Sequence, residues 1–230
     1  MDYIYTAFHK AHLDGTPVLH PLFYNYPKDV NTYPIDLQFF YGKSIMVAPV
    51  TEQDSTSVSI YFPKDVFYDF KTLATVRGAG KRVTLNNVGF TEIPLYIRGG
   101  TVLPLRVAGA MTTAALRQTD FEFVVAPGLT GKASGELYID DGESITPSQS
   151  TKVSMTFADG SLAVKGTFGY PTGVKVARVT FLGVASSPSK VSVNGRDAAA
   201  GSWTYDGGVK VLTVTIGLPL SGPMIVRFTL

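Results

Sequence analysis

The segment that most constrains the fold of this chain is residues 93–105, with the sequence IPLYIRGGTVLPL. Two runs rich in β-forming residues flank an Arg-Gly-Gly turn, and neither Pro94 nor Pro104 can donate a hydrogen bond inside a central ladder. Gly99 and Gly100 can adopt a positive φ or let another backbone come close. We therefore predict that one of these glycines lies where a Cβ would cause strain. We also predict that the segment closes a first β domain ahead of a second.

Length and composition exclude several classes of protein. The chain has 230 residues, which is enough for one large domain or two ordinary ones, and its net charge is only +2. No Lys/Arg run indicates a nucleic-acid surface, and no apolar run is long enough to span a bilayer. Cysteine is absent, which does not decide the compartment. A signal-peptide pattern is also absent, so a secretion signal would have to lie on another segment.

The first residues predict one helix and one strand. Ile4, Phe8 and Ala11 form an apolar stripe, which predicts a helix over residues 1–13, and Gly15 is suited to end it. No capping residue precedes the stripe, so we expect this helix to begin within a larger protein. Residues 16–23 predict a strand. A helix and a single strand cannot bury their apolar side chains alone, so we expect the strand to pair with strands of another polypeptide.

The rest of the chain predicts short strands separated by turns. Residues 44–50, 58–62 and 83–85 are the clear strands of a first β domain, and residues 108–117 resemble a linker. A second antiparallel sandwich is predicted from residue 121 onward, with strands at 209–216 and 224–230. Its hairpin dipeptides are Asp141-Gly142, Asp159-Gly160, Asn194-Gly195 and Asp206-Gly207.

Four segments together resemble the C-terminal part of glycoside hydrolase family 31, the α-glucosidase family. The first is the IPLYIRGGTVLPL segment, and the others follow the order of the family. They are AHLDGTPVLHPLFYNYP at 11–27, DLQFFYGKSIMVAP at 36–49 with YFP at 61–63 and FYD at 67–69 behind it, and GELYIDDGES at 135–144. The resemblance covers most of residues 1–145.

This resemblance implies a mainly β fold in three parts. Residues 1–36 would be the C-terminal end of a catalytic (β/α)8 barrel, namely its closing helix–strand piece. Residues 37–115 would form a proximal β-sandwich domain. Residues 116–230 would form a distal β-sandwich domain, so that two antiparallel sandwiches follow the barrel piece.

The resemblance also implies a function for the whole protein. It would be a retaining α-glucosidase that releases terminal non-reducing α-linked glucose from oligosaccharides and could transfer glucose to another sugar. Retention needs two carboxyl groups, but the family's nucleophile and acid/base motifs are absent here, so we assign no catalytic residue. We also assign no substrate-binding residue, no metal residue and no cofactor. A companion chain would carry the N-terminal domain and most of the barrel, and this chain alone would be inactive.

Several alternatives stay open. The chain could be a free-standing carbohydrate-binding protein or a structural β-sandwich protein, and within the family α-xylosidase and α-glucan lyase activities also remain. No nucleic-acid or membrane partner is expected. The resemblance implies secretion, with the endoplasmic reticulum or the vacuole as other locations.

Three groups of polar residues could carry chemistry, and each has a simpler structural interpretation. Asp140, Asp141 and Glu143 could form a carboxylate pair or a Ca²⁺ loop, but the EF-hand spacing is absent and a hairpin turn is favoured. His20 could contact a sugar, although a histidine bonded to a neighbouring carbonyl or carboxylate is favoured. His9 and His12 have zinc spacing without a third ligand, which favours a solvated helix end.

Aromatic residues could bind sugars by stacking. Tyr24, Tyr26, Phe39, Phe40 and Tyr41 could form a subsite wall, although the alternation at 39–41 favours rings in the cores and between domains. Trp203 is the only tryptophan and could mark a glycan-binding face. A buried or hairpin-edge position is favoured for it.

Overall fold

A computed structural model describes residues 1–230 and contains mostly short strands. The helices are α1 (Asp2–Asp14), α2 (Leu22–Asn25) and α3 (Thr113–Arg117), with a 3-10 helix at Val30–Thr32. The strands are β1 (Leu19–Pro21), β2 (Phe39–Tyr41), β3 (Ile45–Val47), β4 (Val58–Phe62), β5 (Val66–Asp69), β6 (Thr75–Arg77), β7 (Lys81–Leu85), β8 (Leu95–Arg98), β9 (Thr101–Arg106), β10 (Phe121–Ala126), β11 (Ala133–Ile139), β12 (Thr151–Ala158), β13 (Ser161–Phe168), β14 (Lys175–Phe181), β15 (Lys190–Val193), β16 (Arg196–Asp197), β17 (Trp203–Asp206), β18 (Val211–Pro219) and β19 (Met224–Thr229). None of the helices combines the length and the apolar character that a membrane span needs.

The predicted first helix is confirmed, and the strand after it is shorter than predicted. Gly15 ends α1 in the left-handed region at φ 74°, and its N–H donates to the Ala11 carbonyl. The observed strand is limited to β1 (Leu19–Pro21), and α2 begins at Leu22, directly after Pro21. Proline fits the position before a helix because its fixed φ and missing N–H cost nothing there.

A six-stranded sheet has the order β1-β2-β3-β8-β5-β6 and is antiparallel throughout. In it Leu19 lies opposite Tyr41, and His20 lies opposite Phe40. This pairing corrects the prediction that the strand in residues 16–23 finds its partners in another polypeptide, because β2 of the same chain binds one of its edges. The structure does not show a barrel strand here, and the second edge of β1 is free in the chain.

The Arg-Gly-Gly turn leads from one sheet into another. The strand before it, β8, belongs to the six-stranded sheet, whereas β9 lies in an eleven-stranded sheet with the order β16-β15-β19-β13-β12-β11-β9-β10-β14-β18-β17. Gly99 N donates to the Val66 carbonyl and Gly100 N to the Ala126 carbonyl. The segment therefore connects the sheets and does not close the first one. β9 lies within the predicted proximal range 37–115 but belongs to the larger sheet. The domain division stays a prediction.

The larger sheet curls around one core. Phe181 lies on β14, which is far in the strand order from β12 with Phe157 and β19 with Phe228, yet the three ring centroids lie 5.2–6.2 Å apart. We predicted an antiparallel sandwich, and this is wrong for two strand pairs, because β10 pairs in parallel with β14 and β9 in parallel with β11. The remaining strands β4 and β7 form a separate two-stranded ribbon.

Two of the four predicted hairpin dipeptides form tight turns. Asp159-Gly160 and Asn194-Gly195 have positive φ at both residues and connect successive strands directly. Asp141-Gly142 and Asp206-Gly207 lie in longer connections. The predicted linker at 108–117 contains α3, because the Thr112 hydroxyl accepts a hydrogen bond from Ala115 N and caps the helix.

A buried ion pair attaches α1 to the larger sheet. Arg106 Nε and Nη2 donate to the two carboxylate oxygens of Asp2 at 2.9 and 2.6 Å. Arg106 Nη1 donates to the Arg117 and Thr119 carbonyls, and its guanidinium carbon lies 3.8 Å from the Phe121 ring centroid. Burial by itself would raise the pKa of Asp2, but the hydrogen bonds and charge of Arg106 outweigh it and lower this pKa. All three guanidinium nitrogens of Arg106 donate hydrogen bonds, and both carboxylate oxygens of Asp2 accept one. Such bonding is what offsets the cost of burying the two charges.

We predict that Asp2→Ala lowers the free energy of unfolding by about 3–5 kcal/mol, because Arg106 then stays buried without its counter-ion. Urea unfolding measures the change. Asp197→Ala is the matched control, since Lys190–Asp197 is a solvent-exposed pair worth about 0–1 kcal/mol. Equal losses in the two variants would contradict the role of the buried pair.

The same pair predicts a pH dependence. The pKa of Asp2 is lower in the folded chain than its ordinary value of 3.8, so its stabilisation is present above that value and is lost as pH falls through the folded pKa. The stability gap between the wild type and Asp2→Asn should be constant above about pH 5 and shrink on further acidification. Urea titrations between pH 2 and 7, on the order of one per pH unit, measure the gap. A gap that widens toward acid would contradict the assignment.

The prediction for the glycine pair is confirmed in its geometry. Gly100 has φ 88°, and a Cβ on Gly99 would lie 2.8 Å from the Val66 carbonyl oxygen and 2.9 Å from that of Pro127. Gly100→Val should lower the free energy of unfolding by roughly 1–3 kcal/mol, because a β-branched residue is strained at this φ. Gly109→Val is the control, since Gly109 has no strained φ and open space around its Cα. An unchanged unfolding midpoint for Gly100→Val would refute the prediction.

Candidate functional site

Residues 1–37 are partly packed inside the chain and also expose many large apolar side chains. Ile4, Leu22 and Ile35 are buried against the rest of the chain. The large apolar or aromatic side chains of this segment that are exposed are Met1, Phe8, Leu13, Leu19, Phe23, Tyr24, Val30, Tyr33 and Leu37, here called the outer face. Phe23 and Tyr33 contact each other edge to face at 6.3 Å. This much apolar surface in one short segment is typical of a region that packs against another protein segment.

The inner side of α1 is attached to both sheets by hydrogen bonds. Tyr3 OH donates to the Tyr41 carbonyl and accepts from Ser44 N, each at 2.9 Å. Thr6 Oγ1 accepts from Tyr138 N at 3.0 Å. These contacts fix α1 in the angle between the six-stranded and the eleven-stranded sheet, so the outer face has a defined orientation.

The acidic group at 140–143 forms a turn, as the simpler interpretation predicted. Asp141 accepts hydrogen bonds from Glu143 N and from Ser144 N and Oγ, and these bonds lower the pKa of its carboxyl to about 2. Asp140 is buried and accepts from Tyr5 OH at 2.7 Å and from Gly142 N at 2.8 Å. Burial, followed by the contact with Asp140, raises the pKa of Tyr5 to about 12. The buried carboxylate therefore holds α1 to the turn.

His20 also has the simpler role. Its imidazole is buried, and Nε2 lies 2.6 Å from the Pro17 carbonyl oxygen, to which it donates because a carbonyl only accepts. Nδ1 lies 3.3 Å from Asn25 Oδ1, and the Tyr24 ring packs against the imidazole at 4.6 Å. His20 thus fixes the connection between β1 and α2, directly beneath the outer face.

His9 and His12 are not brought together with a third ligand. His9 stacks on the Tyr138 ring with a centroid distance of 3.5 Å. Burial, followed by the charge of Lys152, lowers the pKa of His9. No group of three or more His, Cys, Asp or Glu side chains is placed to hold a metal ion.

The aromatic candidates divide between core and surface. Phe40 is fully buried in the core of the six-stranded sheet, and Tyr26 packs beside it at 6.1 Å, whereas Phe39 is half-buried. Tyr24 belongs to the outer face, and Tyr41 is exposed near Tyr3. The structure therefore does not assemble the five rings into one wall.

Trp203 lies on β17, the last strand of the larger sheet, opposite Val214, and packs partly on the core. This confirms the edge position that was favoured for it.

Sequence reasoning missed a polar cluster behind the Arg-Gly-Gly turn. Asp65 accepts hydrogen bonds from Tyr26 OH at 2.9 Å and from Arg98 Nε at 3.4 Å, and the Arg98 guanidinium lies 4.7 Å from the Tyr26 ring centroid. Burial raises the pKa of Tyr26 well above its usual range. The presence of Arg98 in the RGG motif was a signal, but nothing in the sequence indicated its partners.

Comparison with known proteins gives one consistent result. A sequence model described as the glycosyl hydrolase family 31 C-terminal domain matches residues 15–103. An Aspergillus fumigatus protein named probable alpha/beta-glucosidase agdC is 49% identical over 223 residues, which are 97% of this chain and 24% of that protein. An alpha-glucosidase of Schizosaccharomyces pombe is 38% identical over 96% of this chain and 23% of its own length.

Solved structures agree in fold. The glucosidase II alpha subunit with bound alpha3-Glc2 superposes with a TM-score of 0.84 at 29% identity, covering 99% of this chain and 27% of that one. A Flavobacterium johnsoniae GH31 dextranase has a TM-score of 0.78 at 21% identity over 100% of this chain and 31% of its own, which shows the fold alone. This chain spans about a quarter of the length of the relatives named above. The chain belongs to glycoside hydrolase family 31, and it corresponds to the C-terminal region of that family's proteins.

Proposed function

We propose that this chain is the C-terminal region of a retaining α-glucosidase that releases terminal non-reducing α-linked glucose from oligosaccharides. The observation that carries the proposal is the outer face of residues 1–37. Its apolar side chains are exposed, while the other side of the same segment is fixed to both sheets by the Asp2–Arg106 pair and the Tyr3 hydrogen bonds. A segment built this way attaches a β scaffold to a neighbour. We assign that neighbour to the catalytic barrel.

The relatives support the substrate class. Two of them carry the names alpha/beta-glucosidase and alpha-glucosidase at 49% and 38% identity, and each is about four times as long as this chain. The segment that this chain lacks relative to them has ample length for a barrel, which typically needs about 250 residues. We therefore include in the proposal a companion segment, on the same or another polypeptide, and a route through the secretory pathway.

The proposed reaction requires a catalytic carboxyl pair, and the hydrogen bonds of Asp140 and Asp141 argue against that role for them. A retaining glycosidase needs two carboxyl groups about 5–5.5 Å apart, one as nucleophile and one as acid/base, both facing the sugar. Asp140 and Asp141 are instead engaged in hydrogen bonds to their own turn and to Tyr5. This supports assigning the catalytic pair to the companion segment. Glucosyl transfer to another sugar belongs to the same proposal, because a sugar hydroxyl can replace water in the second step.

This chain's contribution is then mechanical. The hydrogen bonds of Tyr3, Tyr5 and Thr6 hold α1, and His20 holds the connection from β1 to α2. A barrel strand docked on this rigid piece would be held at the position that its catalytic loop requires. Misplacement of a catalytic group by about 1 Å can cost on the order of a hundredfold in rate, so a distant scaffold can matter for turnover.

The experiment is a fusion in which this chain replaces the aligned 223-residue region of the Aspergillus fumigatus relative. We predict that the fusion hydrolyses an aryl α-glucoside and that the 230-residue chain alone does not. Phe8→Lys with Phe23→Lys should abolish turnover of the fusion, because both charges fall in the outer face. Ile225→Lys, also at an exposed apolar side chain but on β19 of the larger sheet, is the matched control and should leave turnover intact.

Two outcomes would overturn the proposal. One is turnover by the isolated chain that disappears when one of its own carboxylates is replaced. The other is a fusion that stays fully active with both lysines in the outer face. The first result would mean that this chain carries a catalytic carboxylate, and the second that the outer face does not attach the chain to a barrel.

A further inference from the structure

A second site candidate is a groove beside the six-stranded sheet, lined in part by Asp69 at the end of β5 and Leu95 at the start of β8. The groove runs between the turn that follows β5 and the loop that connects β7 to β8, and its volume is about 550 Å³. We call it the Asn86 groove. Its lining includes Phe70, Asn86, Asn87, Thr91, Glu92 and Leu95. The volume lies within the range of about 300–1,000 Å³ that small-molecule sites occupy.

The loop that forms one wall of the groove is held in place. Val88 is buried and its N–H donates to the Thr56 carbonyl at 2.9 Å. Glu92 accepts from Gly89 N at 3.3 Å and pairs with Lys71 across the groove at 2.5 Å. Asn87 has φ 59°, a left-handed conformation that asparagine tolerates better than most residues. The groove is therefore shaped before any ligand arrives.

The polar groups that face the groove are available to a ligand. Asn86, Asn87 and Thr91 are exposed, and the hydrogen bonds of this region go to the Asp69 and Glu92 carboxylates and leave their side chains free. Each amide offers a donor and an acceptor side by side, and the hydroxyl offers both on one atom. Neighbouring hydroxyls of a sugar present the same alternation of donors and acceptors.

The remaining lining selects among ligand classes. Two carboxylates, Asp69 and Glu92, face a single ammonium group, Lys71, so an anion is disfavoured. No metal-ligand cluster is present. The lining contains one aromatic ring, that of the half-buried Phe70. Aromatic rings supply the flat apolar faces on which the C–H side of a pyranose can lie.

We infer that the Asn86 groove is a carbohydrate-binding site for a neutral oligosaccharide. The amides and Thr91 bind hydroxyl groups, and the Phe70 ring binds an apolar sugar face. Only the choice of α-linked glucose as the ligand rests on the proposed function. The polarity and shape of the groove do not depend on it. Such a site would hold an oligosaccharide on the β scaffold.

The test is titration of the 230-residue chain with maltotriose and isomaltotriose by calorimetry, together with saturation-transfer NMR. Cellotriose is the comparison for the linkage. We expect saturable binding, and we expect Asn86→Ala with Asn87→Gly to weaken it by about tenfold or more through loss of both amides. Glycine keeps the left-handed backbone of residue 87. Asn194→Gly at φ 49° in the β15–β16 turn is the matched control and should leave binding unchanged.

Two results would overturn the inference. One is no saturable binding of any of the three sugars by folded chain, as judged from its dispersed NMR spectrum. The other is binding that the Asn86/Asn87 variant does not weaken. Because the readout needs no catalysis, it is independent of the proposed function. A fusion that hydrolyses glucosides while the chain binds no sugar would leave the α-glucosidase proposal standing and remove only this site.

Discussion

The buried pair of Asp2 and Arg106 is the interaction on which the arrangement of this chain depends. It joins the first turn of α1 to the end of β9, two points that lie 104 residues apart in sequence. A carboxylate in the first helical turn also faces the positive end of the helix dipole, so the pair is favoured from both sides. With α1 fixed there, Tyr3 reaches the β2–β3 turn and Tyr5 reaches Asp140. The exposed orientation of Phe8 and Leu13 follows from this attachment.

The Gly99-Gly100 crossing gives the two sheets a fixed relation. Gly99 N bonds to a strand of the six-stranded sheet and Gly100 N to a strand of the larger one, so two consecutive residues hold both sheets. Tyr68 adds a hydrogen bond from the six-stranded sheet to the Pro127 carbonyl at 2.9 Å. A junction of this kind holds the six-stranded sheet against the larger sheet, which supplies the bulk of the core.

Local features of the fold could be predicted from the sequence, and long-range features could not. The β4 strand was predicted with its observed bounds, and α1 to within a residue at each end, because spacing and Gly15 are local signals. The α3 helix was missed because five residues with one Thr112 cap are too short to show a period. The move of β9 into the second sheet was missed because alternation predicts strands and does not say which sheet a strand joins. The family resemblance indicated the protein class, yet the Asn86 groove combines residues from two separate turns and carries no motif.

The central claim is that the outer face of residues 1–37 is covered by a catalytic segment in the working protein. Sedimentation equilibrium of the native protein isolated from its source tests it most directly, with a detection antibody against the β15–β16 turn to identify this chain. We predict that the chain sediments in a species well above its own mass of 24.7 kDa. If the companion is a separate polypeptide, denaturant or the change Phe8→Lys with Phe23→Lys should lower this mass. If the companion lies on the same polypeptide, the denatured species should itself be larger than 24.7 kDa. A monodisperse native monomer of 24.7 kDa that stays soluble with the outer face exposed would contradict the account.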